Sequence, residues 1–120
     1  MGMLPHSEAM AVLAALDVSV VCNRDSRFSR ACHPMKLVES AAVGVPVVAA
    51  SVGEVARLLA PYPEMLYPPG DSEALVERIA RQLETRHRPD ASLASRWEEV
   101  SLRLHHVLAD VAAVRLRKGE

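Results

Sequence analysis

Aromatic side chains are nearly missing from this chain: one tryptophan, two tyrosines and one phenylalanine stand among 120 residues, half of which are hydrophobic. A hydrophobic fraction built from Ala, Val and Leu suits α/β layers better than an all-β sandwich. Cys22 and Cys32 are too few for a disulfide framework, and the absence of a Cys-x-x-Cys pair argues against structural zinc. Charge is also scarce in the net: fourteen basic residues against fifteen acidic leave −1, so no global field recruits nucleic acid or an anionic membrane. No run of about eighteen apolar residues is long enough to span a bilayer. The N-terminus lacks the basic-then-apolar order of a signal peptide. The expectation is a cytoplasmic protein with two free thiols, no integral membrane segment, no metal and no cofactor. Internal repeats and low-complexity segments are missing as well.

What is present centres on His33 to Ser51, HPMKLVESAAVGVPVVAAS. Pro34 fits a first helical turn, where a missing N–H costs nothing, and Leu37, Val38, Ala41 and Ala42 recur at helical spacing. Gly44 suits the left-handed residue just past a helix end. Val45 to Ala50 is apolar and β-branched without alternation, which predicts a strand covered on both faces, with Pro46 at its start.

Upstream, Ser7 and Glu8 predict a cap for a helix through about Leu16, with Val12, Leu13 and Leu16 as its buried stripe. Val18 to Cys22 reads as a strand by β-branching. From Asn23 to His33 the chain turns polar and basic with no apolar period, which predicts a long loop. Because open α/β sheets bind ligands beyond the carboxyl ends of their strands, that loop is a functional candidate.

Downstream, a turn at Ser51-Val52-Gly53 leads into a short helix from Glu54, closed by Pro61 and Pro63. Met65-Leu66-Tyr67 is a brief strand, and Pro68-Pro69-Gly70-Asp71 a turn whose Asp71 or Ser72 caps the next helix. That helix is expected to bury Leu75, Val76, Ile79, Ala80 and Leu83. Residues 84–94 read as a linker. Ser95 and Glu98 then form a capping box for a long helix. Its apolar residues Leu93, Trp97, Val100, Leu104, Val107, Val111 and Val114 step by fours and threes, a seam of coiled-coil type that is expected to pack across a neighbouring layer.

The predicted fold class is α/β: a three-layer, Rossmann-like half domain with three parallel strands (18–22, 46–50, 65–67) between helices, and a long C-terminal helix. Doubly wound sheets normally have more strands, so residues 1–120 are expected to form one partial domain with a bare strand edge. Self-association through that edge or through the C-terminal helix is the expected consequence.

Taken in order, VSVVC, the charged loop, PMKLVESAAVGVPVVAAS, the turn before Glu54, LYP, PPGDSEALVERI and SRWEEV resemble the C-terminal part of a GT-B glycosyltransferase. The likeness covers about residues 2 to 110. It is to the large retaining family that includes sucrose synthases, glycogen synthases and bacterial mannosyltransferases. The resemblance implies a donor-binding domain holding a nucleotide-diphosphate sugar, whose sugar passes to an acceptor hydroxyl without a catalytic metal. The family signature is a pair of glutamates that fall at positions 31 and 39 of this chain. Glu39 matches the second, which accepts hydrogen bonds from the ribose hydroxyls; the first is replaced by Ala31.

The resemblance further implies that backbone amides at Met35, Lys36 and Leu37 face the diphosphate, with Lys36 adding a charge and His33 and Pro34 leading into the helix. An Arg and a Lys that neutralise the leaving diphosphate lie on earlier elements of such domains, so turnover by these 120 residues alone is not expected. Two other readings stay open: a non-catalytic protein-interaction module derived from a degenerate domain, favoured by Ala31, and a fragment of a nucleotide-sugar epimerase.

Overall fold

A computed structural model of the chain describes residues 3–94 and 97–117. Three strands, β1 (Ser19–Val21), β2 (Val47–Ala50) and β3 (Leu66–Tyr67), form one parallel sheet in the order β1-β2-β3. Ser19 is in register with Val47, Val21 with Ala49, and Ala50 with Tyr67. Each strand lies within its expected span. Pro46 has no N–H to donate but its carbonyl accepts from the Ser19 amide at 2.8 Å, so it leads into β2.

All four residues of β2 are buried, which is why its sequence does not alternate. Val47 and Ala49 pack on one face with Val21, Leu37, Val55, Leu59 and Met65. Val48 and Ala50 pack on the other with Val52 and Tyr67, against Ala74, Leu75 and Ile79. The first face is covered by α3 (Met35–Val43) and α4 (Gly53–Leu58), the second by α5 (Ser72–Thr85). The result is three layers.

The helix ends follow local chemistry. Gly44 adopts φ +73° after α3; its amide bonds to the Ala41 carbonyl and the Val45 amide to the Ser40 carbonyl, closing a Schellman motif. Asp71 caps α5 by accepting from the Ala74 amide at 2.9 Å.

Four expectations are corrected. The first helix, α1 (His6–Ala14), starts after Pro5 without a side-chain cap, and it buries none of its residues; Val12 and Leu16 are exposed. It packs against α3 beside β1, an edge strand with no further strand beyond it among the described residues, so its apolar stripe has no complete layer to cover it. The span Asn23–His33 contains a short helix, α2 (Arg27–Ala31), capped by Ser26, which accepts from the Ser29 amide at 3.1 Å. At five residues α2 is too short to show an apolar period.

In α5 the buried stripe is rotated: Leu75 and Ile79 pack on the sheet, but Val76 and Leu83 are exposed and Gln82 is buried instead. A three-stranded sheet covers one stripe of the helix, and the next stripe round faces outward. The last helix, α6 (Trp97–Arg117), lies across no neighbouring layer: every side chain from Glu98 to Val114 is exposed. The expected capping box depends on Ser95, outside the described residues. Leu93, in a 3-10 turn (Ala91–Leu93) against α3, does pack on the core.

Candidate functional site

The connections leaving the carboxyl ends of β1 and β2 carry the polar chemistry. α2 is fixed there by glycine. Gly53, at the start of α4 with φ +52°, lies so close to α2 that a Cβ would stand 2.6 Å from the Arg30 Cα and 2.7 Å from its carbonyl oxygen. On the outer side, Arg30 grips Asp25 through two hydrogen bonds, at 2.6 and 2.7 Å, and these hold the Asp25 carboxyl below the usual carboxylate range. Ala31 ends α2 in an exposed position.

α3 then turns the chain back. The amides of Met35 and Leu37 are occupied by the His33 and Pro34 carbonyls, at 3.0 Å each, and that of Val38 by Pro34 at 3.2 Å. The side chains split three ways. Pro34 and Leu37 are buried, Leu37 completely and in the main core. Met35 is exposed. His33 is exposed near Glu54, whose carboxyl is held below its ordinary range chiefly by the Arg57 guanidinium, with a smaller contribution from His33 when protonated. Lys36 and Glu39, three apart and therefore on one side of α3, open onto a groove of about 400 Å³. The groove is closed by His6, Met10 and Leu13 of α1 and by Ser19 and Val20 at the free edge of β1.

Six residues were expected at the site from sequence; the structure brings Glu39 and Lys36 onto one groove and directs the side chains of the other four elsewhere. Glu39 is half-buried and Lys36 exposed, and neither makes an ion pair among the described residues. A carboxylate accepts hydrogen bonds from two hydroxyls at once, and an ammonium beside a helix N-terminus favours an anion. Among the described residues no group of three or more His, Cys, Asp or Glu side chains is placed to hold a metal.

A second pocket, of about 290 Å³, is not anticipated by the sequence reading. It lies over the carboxyl ends of β1 and β3, between Cys22, Asn23 and Arg24 on one side and Tyr67, Gly70, Asp71, Ser72 and Leu75 on the other. Burial first, and the adjoining Cys22 side chain second, push the Tyr67 phenol up to about 12. The signal was available: Tyr67 closes a strand immediately before a turn, on the ligand-binding side of such a sheet.

A family described as glycosyl transferases group 1 matches residues 1–85. No curated protein and no solved structure matches the chain.

Proposed function

The chain belongs to the glycosyl transferases group 1 family, and from that premise we propose that it supplies the nucleotide side of a donor site. Glu39 accepts the ribose hydroxyls of a nucleotide-diphosphate sugar, while the Lys36 ammonium faces the diphosphate, aided by the dipole of α3. The Met35 and Leu37 amides take no part, being already bonded to the His33 and Pro34 carbonyls. The observation that carries this reading is the shared groove: Glu39 and Lys36 open together onto a space of about 400 Å³.

In this reading residues 1–120 are the C-terminal part of a donor domain, and the complete enzyme passes the sugar to an acceptor hydroxyl with retention. Binding, not turnover, is the task of this part. The position of the carboxylate nearest the transferred sugar is Ala31, exposed at the end of α2, and the cations that neutralise the departing diphosphate come from elsewhere in the domain. The two free thiols, Cys22 and Cys32, suit a reducing cytoplasm.

Calorimetry with uridine and guanosine diphosphates tests the reading. Charge-assisted hydrogen bonds contribute about 1.5–3 kcal/mol, so Glu39→Ala is expected to weaken binding by about tenfold to a hundredfold. Its circular dichroism and urea midpoint should stay those of the parent. Equal affinity of parent and variant would remove Glu39 from the site. A chain that takes up neither diphosphate would leave the interaction-module reading in its place.

A further inference from the structure

Val100, Leu104, Val107, Val111 and Val114 form one line along α6, and each is between 40% and 59% exposed. The molecule is 64 Å long against 31 and 28 Å in its other two extents. A 21-residue helix spans about 32 Å, which accounts for the excess if α6 projects from the α/β unit. Valine is a middling helix former, and most helical stability in proteins comes from packing an apolar face. The seam of α6 therefore calls for a cover. Its spacing of four, three, four and three is the 3.5-residue period of a coiled coil, which specifies another helix of the same period.

We propose that α6 pairs with α6 of a second copy of this chain as an antiparallel two-stranded coiled coil. The heptad assignment fixes the register. Leu104 and Val111 take position a; Val100, Val107 and Val114 take position d. In antiparallel packing each a residue faces a d residue, so Leu104 meets Val107 of the second copy and Val100 meets its Val111. The two g positions, Arg103 and Asp110, then face each other across the interface, once on each side of the two-fold axis. Both are exposed and neither has an ion-pair partner among the described residues of its own chain. Two opposite charges per interface thus fall together in the same register that aligns the apolar layers.

The parallel alternative fits less well on two counts. It places β-branched residues at every d position and leucine at one of the two a positions, whereas parallel dimers favour leucine at d and β-branched residues at a. It also sets Arg103 beside Leu108 of the other copy.

Sedimentation equilibrium of the full 120-residue chain, over about 1 to 100 µM, tests the pairing. The expected result is a monomer–dimer equilibrium. Arg103→Asp places two like-charge pairs across the antiparallel interface and should weaken the dimer by about tenfold or more, and adding Asp110→Arg should restore it to within about threefold. In a parallel pair the first change would do little. Val107→Glu should leave a monomer whose urea midpoint for the α/β unit is unchanged, since Val107 touches no core. A chain that is monomeric throughout the range, a trimeric or tetrameric mass, or a double exchange that fails to restore the dimer would overturn the proposal. A Val107→Glu chain that still dimerises would move the contact to the free edge of β1 and overturn it equally.

Discussion

The hydroxyls of Ser40 and Ser19 meet 2.9 Å apart in the interior, joining the helix that carries Lys36 and Glu39 to the edge strand β1. Ser40 also lies 2.7 Å from the Lys36 carbonyl, which can only accept. With one proton to give, Ser40 donates to Lys36 and accepts from Ser19. Ser40→Ala leaves the Ser19 hydroxyl buried without its partner, and an unsatisfied buried group costs about 1–3 kcal/mol. Urea unfolding should show a loss of that size. The Ser19→Ala/Ser40→Ala double variant should lose less than the two single losses together, because each single change already removes the shared bond. Strict additivity would mean that the two hydroxyls do not interact.

Lys36 and Glu39 are expected to read different parts of the ligand. Lys36→Met should weaken a nucleoside diphosphate by about twofold to fivefold at low salt while leaving the corresponding nucleoside unaffected, since a single exposed charge acts on the phosphates alone and is screened. Glu39→Gln should weaken nucleoside and diphosphate by similar factors. Titrations of the two ligands at two salt concentrations separate these effects, and a Lys36 effect that persists with the bare nucleoside would place that side chain elsewhere.

Gly53 is expected to tolerate no side chain. A left-handed backbone costs a non-glycine residue about 1–2 kcal/mol, and the added Cβ would lie 2.6 Å from backbone that cannot rotate away. Gly53→Ala should therefore lower stability by about 2–4 kcal/mol and free α2. Amide hydrogen exchange over residues 26–32 checks it: exchange there should accelerate more than in β2. Unchanged protection would mean that α2 is not held by this contact.

The sheet and its coverings were legible because they rest on composition and period. Val45 to Ala50, apolar, rich in β-branched residues and without alternation, reads as a strand buried on both faces, and Gly44 as the stop of the helix before it. What escaped the sequence depends on long-range contacts. The short α2 has no period to read. Gln82 looks like a solvent-facing residue beside Leu83, yet it is buried, with its Nε2 donating to the Val47 carbonyl at 3.2 Å. Nothing within α5 signals that a carbonyl of β2 waits opposite. At the candidate site the same division holds: the spacing of Lys36 and Glu39 puts them on one side of a helix, but the groove they share is closed by α1, whose docking no local pattern predicts.

That buried amide carries its own prediction. Gln82→Ala removes the donor to Val47 and opens a cavity, and the combined cost should be about 2–4 kcal/mol. Gln82→Met keeps the volume and loses only the bond, so it should cost about 1–2 kcal/mol. Thermal unfolding of the pair checks the order, and equal midpoints for the two variants would mean that volume contributes nothing at this position.

Tyr67 makes stability depend on alkaline pH. Its phenol titrates at about 12 in the folded chain against an ordinary value of 10.0, so folding favours the neutral phenol. The contribution is therefore fully present below about pH 10 and is lost as pH rises from 10 towards 12. The larger cause is burial, which penalises phenolate, and the Cys22 side chain adds to it. Tyr67→Phe cannot ionise and should flatten the decline. The difference in urea midpoint between parent and variant is thus expected to shrink, or to favour the variant, as pH is raised from about 9 to 11.5. Cys22→Ser should move the parent's profile only part of the way, because burial remains. Parallel profiles for parent and Tyr67→Phe would show that this phenol titrates in the fold as it does in the unfolded chain.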